Sequence, residues 1–274
     1  MYFIKKHILT VIFLFFSIIS FSQEIEKDSL RGEFSYLLQY KSNTLNQDNI
    51  TKEFFSLQVS DSRAFFISEN KLKFDSAFSA EFSKKQNVIN VSNIPASKSN
   101  FLIIQTNQHS QFYEAVGMTL LSYNSPVINN WKLVNETKVI NSLVCKKAEV
   151  RYKGRDWIAW YSTEIPFPYG PYKFSNLPGL IVKITDRTGD YDFELIKSVS
   201  NSNLKRKVVR VSNARYQNAK IITKKELSEA RTNFRQNARR ELEGMGTVFL
   251  EDQKPRQKVN ETEKKGHNPI ELED

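Results

Sequence analysis

A single cysteine, three histidines and nine glycines are all that the 274 residues provide, and each scarcity narrows the chemistry. With Cys145 alone, no internal disulfide can form, and its neighbours Leu143, Val144, Ala148 and Val150 predict a thiol buried in a strand. A nucleophilic role would need a base nearby, and few are on offer. His7 falls in an apolar leader and His267 near the far end. That leaves His109 as the one histidine in the region expected to fold, where it reads as a surface residue beside a turn. No nucleophile-elbow pattern occurs anywhere. Internal repeats and composition breaks are also missing, so one domain is expected. After the leader, no segment approaches the ~20 apolar residues that a membrane-spanning helix needs.

The leader itself has a clear form. Lys5 and Lys6 precede an apolar run over residues 8–21, and Ser20 and Ser22 flank Phe21 in the small-x-small pattern of a signal-peptidase site. Cleavage after Ser22 is expected, which places the mature protein in the periplasm or against the outer membrane. It also removes two lysines and lowers the formal charge from +10 to +8. The expected organisation is a signal peptide over 1–22, one β-rich domain over 23–250, and a polar, flexible tail over 251–274.

Short aromatic and β-branched runs bounded by Asn, Asp and Ser predict strands over 32–40, 53–59, 63–68, 101–106, 111–116, 118–123 and 131–134. The spacing is that of an antiparallel meander. Residues 143–152 and 156–163 flank Gly154 and predict a tight hairpin, and 180–185 and 191–200 flank Gly189 as a second. A further strand is expected over 205–212. Residues 72–84 carry apolar groups at helical intervals. A clearer helix runs over 223–243: Thr223 and Glu226 form a capping box, Gly244 closes it, and Leu227, Ala230, Phe234, Ala238 and Leu242 form its apolar stripe.

Between Lys205 and Arg240 stand twelve Lys and Arg against two Glu. Export argues against nucleic acid as the partner. Anionic lipid headgroups, with the basic helix touching a membrane surface, lipopolysaccharide or an acidic protein surface fit better, and a merely solvated helix face is the plain alternative. Asp190, Asp192 and Glu194 alternate along the second hairpin and are weak candidates for calcium, against the bland reading of a hydrated strand face. No cofactor is expected. Asp156 and Glu164, at the edges of the first hairpin, are the one carboxylate pair from which a hydrolase could be argued.

The most unusual stretch is "PFPYGPYKFSNLPGLI", residues 166–181, with four of the eight prolines and four aromatics. Its prolines fix four φ angles and remove four donors, giving a stiff loop. Leu177-Pro178-Gly179-Leu180 has the residues of a type II turn leading into a strand. Phe167, Tyr169, Tyr172 and Phe174, with Trp157 and Trp160 of the preceding strand, either plug one end of the β-structure or line a binding site for an apolar or peptide ligand.

These residues carry a resemblance. "AWYSTEIPFPYGPYKFSNLPGLIVKI", residues 159–184, resembles the central block of the GLPGLI family of exported Bacteroidota proteins, and the closing "NPIELE" resembles that family's usual ending. The motif here is Asn176, Leu177, Pro178, Gly179, Leu180 and Ile181, with Asn176 in place of the first glycine. Asn tolerates positive φ best among the residues with side chains, so the backbone shape is expected to survive. The family implies no catalytic residues. The strand pattern is also similar to LolA-like proteins, which implies an antiparallel curved sheet or open half-barrel, mainly β, with a C-terminal amphipathic helix. The expected function is non-enzymatic binding of an apolar ligand or a protein or peptide partner; an envelope hydrolase and an accessory subunit of an outer-membrane complex are the alternatives.

Overall fold

In the computed structural model, residues 28–84, 96–199, 201–244 and 266–273 are described. The expected signal peptide lies outside them.

Strands β1 (Gly32–Lys41), β2 (Ile50–Val59) and β3 (Ala64–Ser68) lead into helix α1 (Glu69–Ser83). They are followed by β4 (Phe101–Gln105), β5 (His109–Val116), β6 (Thr119–Pro126), β7 (Lys132–Ile140), β8 (Leu143–Tyr152), β9 (Arg155–Ser162), β10 (Leu180–Asp186), β11 (Tyr191–Val199), the two-residue β12 (Lys220–Ile221) and helix α2 (Lys224–Gly244). All twelve strands form one sheet in the order β12-β6-β5-β4-β3-β2-β1-β11-β10-β9-β8-β7. Each neighbour pair is antiparallel except β12 with β6. The sheet is curved and open, mainly β with two helices, as the sequence predicts.

Alternation explains which face is filled. Along β1, Phe34, Tyr36 and Leu38 are buried while Glu33, Ser35 and Leu37 on the other face are half-buried. Phe55 and Leu57 of β2, Phe193 and Leu195 of β11, and Trp157, Ala159 and Tyr161 of β9 join the buried set in one core on the concave side. A smaller core lies on the convex side, where Phe65, Ile67, Leu102, Ile104 and Tyr113 meet Leu72 of α1 and Val211.

The hairpins follow their turn residues. Lys153 and Gly154 both have positive φ, as the tightest hairpin turn requires. Gly189, at φ +70, turns β10 into β11, and the Asp186 carboxylate holds that turn by accepting from the amides of Asp190 and Tyr191 at 2.8 and 2.9 Å. Helix α2 opens on the expected capping box: the Glu226 amide donates to Thr223 Oγ1 at 3.1 Å and the Thr223 amide to Glu226 Oε2 at 2.7 Å. Leu227 is buried, with Ala230 packed beside it on the main core.

Three expectations change. Residues 205–212 form no named strand: they make one isolated bridge, Ser29 to Val208, and Val209 and Val211 pack against the convex core. The turn before β10 is not type II. The Gly179 amide donates to the Leu177 carbonyl at 2.8 Å, a three-residue turn centred on Pro178, with Gly179 at φ +151. Third, while residues 251–265 lie outside the described set, residues 266–273 are docked against the sheet instead of trailing as a tail, with Asn268 and Glu271 buried.

Candidate functional site

The loop over residues 166–179 occupies the concave face. Phe174 and Leu177 are fully buried, Tyr169 and Tyr172 nearly so, and Phe174 packs against Trp157 with ring centroids 4.5 Å apart. Phe167 and Trp160 are half-buried, Phe167 meeting Phe34 edge-on at 5.9 Å. Burial of each ring contributes on the order of 2 kcal/mol. Because proline removes donors, the loop is held through its carbonyls and by neighbouring side chains. Gln105 Nε2 donates to the carbonyls of Gly170 and Tyr172 at 2.8 and 2.5 Å, Trp131 Nε1 to that of Ser175 at 2.9 Å, and the Tyr36 hydroxyl to that of Ile181 at 2.6 Å. Of the six aromatics proposed as a ligand lining, Trp157, Tyr169, Tyr172 and Phe174 are packed into the core and offer little surface to a ligand, Phe167 is half-buried against Phe34, and Trp160, on the alternate face of β9, lies under the Lys138 ammonium, 5.9 Å from its ring centroid.

The turn over residues 176–181 closes the plug. Asn176 has φ +70, the conformation a glycine would favour there, and its side-chain amide donates to the Ile128 carbonyl at 3.1 Å. A Cβ added to Gly179 would stand 2.1 Å from the Ser162 carbonyl oxygen, so no side chain fits. Leu180 and Ile181 then enter the core.

Beneath the plug lies a polar knot that sequence reasoning missed. Lys173 is buried; its Nζ contacts Glu271 Oε1 at 2.6 Å, donates to the Tyr123 hydroxyl at 2.8 Å, and sits 4.5 Å from the centroid of the Tyr123 ring. The Tyr172 hydroxyl donates to the same Glu271 oxygen at 2.8 Å, and Lys224 of α2 contacts Oε2 at 3.0 Å. Burial pushes the Lys173 ammonium down to about 8 against the opposing pull of Glu271. Burial likewise acts to raise Glu271, but Lys173, Tyr172 and Lys224 outweigh it and hold the carboxyl below its usual range.

A second buried charge sits at the β8–β9 hairpin. Arg155 Nη1 reaches Asp186 at 2.6 Å, while Nη2 donates to the Asn268 side-chain oxygen and to the Pro269 carbonyl at 2.8 Å. The Tyr191 hydroxyl donates to the Asn268 carbonyl at 2.6 Å. The "NPIELE" segment is thus fixed by two keys, Asn268 and Glu271. A signal was present: Lys173 is the one charged residue between Glu164 and Lys183, and a lone lysine within an aromatic stretch needs a partner when it is buried.

The proposed metal and catalytic groups do not assemble. Asp190 faces Lys41 and Arg155, each at 3.6 Å, while Asp192 and Glu194 share Lys183 at 3.1 and 2.5 Å. Among the described residues no group of three His, Cys, Asp or Glu converges for a metal. Asp156 stands near the start of β9 and Glu164 in the turn two residues past its end, with six residue steps along the strand from 156 to 162 spanning roughly 20 Å between them. A glycosidase pair stands within about 10 Å. The Asp156 carboxylate pairs with Arg151 at 3.5 Å, and that of Glu164 accepts from the Val144 amide at 2.9 Å. Cys145 is buried, and that burial raises its thiol to about 11. His109 stands at the start of β5 beside the Thr106 hydroxyl, 3.5 Å away.

Open space lies on the outer side. A cleft of about 1310 Å³ runs between α1, Leu30 and the start of β1 at Glu33 and Ser35, the end of β11 and residues 203–210. A second, of about 740 Å³, lies between α1 and residues 208–217. On α1 itself, Phe74, Phe78 and Phe82 form an exposed stack with centroids 6.1 and 6.3 Å apart and exposures of 37, 42 and 69%. Among the described residues no helix is long and apolar enough to cross a membrane.

No protein-family model and no curated protein matches the chain. Two solved structures of PNGF-II, in the P21 and C2 space groups, are similar to it with a TM-score of 0.49 and 14% identity. The match covers 73% of this chain and 32% of theirs, so the chain spans about a third of their length.

Proposed function

We propose that this is an exported, non-catalytic binding module of the cell envelope, in the periplasm or against the outer membrane, that engages a protein or peptide partner through the outer surface around α1. The observation that carries the reading is the occupied concave face: the loop over residues 166–179 fills the space where an apolar ligand would otherwise lie. Recognition then falls to the outer side, where the two clefts and the phenyl stack of α1 lie. Partner binding there also suits an accessory subunit of an outer-membrane complex. The carboxylate hydrolase loses its support, since Asp156 and Glu164 are too far apart to act on one bond.

Native mass spectrometry of the full chain, purified from a lipid-rich envelope preparation and compared before and after denaturing extraction, tests the reading. The expected result is a lipid-free species. A stoichiometric lipid released only on denaturation would put the ligand back on the concave face and overturn it.

A further inference from the structure

We propose that the larger cleft beside α1 recognises an acidic, extended peptide segment of a protein partner. The inference rests on the outer-surface reading above and names its ligand chemistry.

The cleft is lined by Lys73 of α1, Lys197 of β11, and Arg206, Lys207 and Arg210 of the segment that follows, against Glu33 and Glu69 alone. Arg210 is paired with Glu33. Lys73, Lys197, Arg206 and Lys207 have no ion-pair partner among the described residues, whereas other cations of the basic run are satisfied: Arg215 by Asp75, Lys224 by Glu271 and Arg231 by Glu114. Of the basic run that stood out in the sequence, Arg215, Lys224 and Arg231 thus hold the fold together, while Arg206 and Lys207 join Lys73 and Lys197 around one concavity. Four like charges around a recess raise its potential and concentrate anions there.

The shape selects among anions. The wall given by α1 carries Ser76, Ala77 and Ala80, and the floor carries Ser35 and Ser198, so a backbone can approach closely and find hydroxyl partners. The helix has 15 residues and is about 22 Å long, which matches about six or seven residues of extended chain. A membrane is flat, and headgroup binding to it favours a protruding basic surface with apolar residues to insert. Here the cations surround a recess, and the exposed rings of Phe74, Phe78 and Phe82 are not among its lining. The geometry therefore favours a peptide over a lipid surface.

The test uses the full chain and a fluorescein-labelled octapeptide of alternating Glu and Ser, with the Lys-Ser peptide and phosphatidylglycerol vesicles as comparisons. Fluorescence anisotropy should report binding of the acidic peptide alone, weakened by salt between about 50 and 300 mM. The double variant Lys73→Glu/Arg206→Glu, exposed at both sites and checked for an unchanged melting temperature, should weaken it by about tenfold or more. Lys225→Glu, on the exposed side of α2, should leave it unchanged. Equal binding by the double variant, no binding, or binding confined to vesicles would each overturn the assignment. A partner captured by a photocrosslinker at Phe78 but indifferent to both charge reversals would leave the outer-surface reading standing and remove the acidic ligand; failure of capture together with failure of peptide binding would remove both.

Discussion

Two residues of the turn before β10 are set by backbone conformation. Asn176 occupies the left-handed region, so Asn176→Gly should change stability by less than about 1 kcal/mol, while Asn176→Val should cost about 1–2 kcal/mol in urea denaturation. Gly179 faces the Ser162 carbonyl at a distance no Cβ can share, and Gly179→Ala should cost at least about 3 kcal/mol. Lys173 and Glu271 are governed by charge. Lys173→Met leaves a buried carboxylate without its main counter-charge and should cost about 3–5 kcal/mol, whereas Lys173→Met with Glu271→Leu should recover much of that loss. Glu271 titrates below its usual 4.5 in the folded state, so its contribution is present above that pH and is lost as pH falls through the lower folded value. Glu271→Gln should flatten the acid limb of a stability-versus-pH curve. Of these four positions, the sequence made Asn176 legible, because φ preference is a local property, whereas Gly179 was expected in a type II turn and its close approach to Ser162, 17 positions away, belongs to the fold. The sequence hid the pairing of Lys173 with Glu271, because 98 positions separate them and only the fold brings them together.

Elements whose identity rests on local periodicity were read well. Eleven of the twelve strands coincide with or overlap predicted runs, since alternation against a core leaves a period-two trace. The capping box marked the start of α2, and Thr223→Ala should lower stability by about 1 kcal/mol, read by denaturation and by faster amide exchange in the first turn. What failed is instructive for its cause. Residues 205–212 have strand-like composition, but the edges nearest in sequence were already paired, and the valines served instead to cover the convex faces of β3, β4 and β5. The aromatic loop announced itself by composition, yet whether its rings point inward or toward a ligand depends on Gln105 and Tyr36 of distant strands and on Trp131 just before β7, which no local window contains. The last residues looked disordered because they are polar. They dock through the Asn268 and Glu271 side chains, backbone hydrogen bonds and the half-buried Ile270, a combination that hydropathy does not register.

The molecule as a whole is rich in buried phenols, and this sets its alkaline behaviour. Burial raises the hydroxyls of Tyr36, Tyr123, Tyr152, Tyr172 and Tyr191 well above 10, and Tyr113 to about 12. Above pH 10 the unfolded chain releases phenolic protons that the folded chain keeps, so stability falls as pH rises. Lys173 acts in the opposite sense between about 8 and 10.5, where the unfolded chain holds the proton that the buried amine has lost. One lysine cannot offset several tyrosines. Stability should therefore change little between pH 8 and 10 and then collapse, with tyrosinate absorbance rising in a single cooperative step that coincides with loss of circular dichroism. Gradual tyrosinate absorbance from pH 10, with the fold intact, would contradict the burial of these rings.

The pairing of residue 173 with residue 271 also sets an order of events as the chain folds. Wherever the chain emerges N-terminus first, residue 173 appears 98 positions ahead of its partner, and until residue 271 follows the proline-rich plug would have to seat an ammonium with no carboxylate to meet it. The strands can zip early, but the plug has reason to stay out until residue 271 is available to it. Ribosome-bound intermediates stalled short of residue 268 should be cut by chymotrypsin at Tyr169 or Tyr172, and those stalled with residue 271 well clear of the exit tunnel should resist.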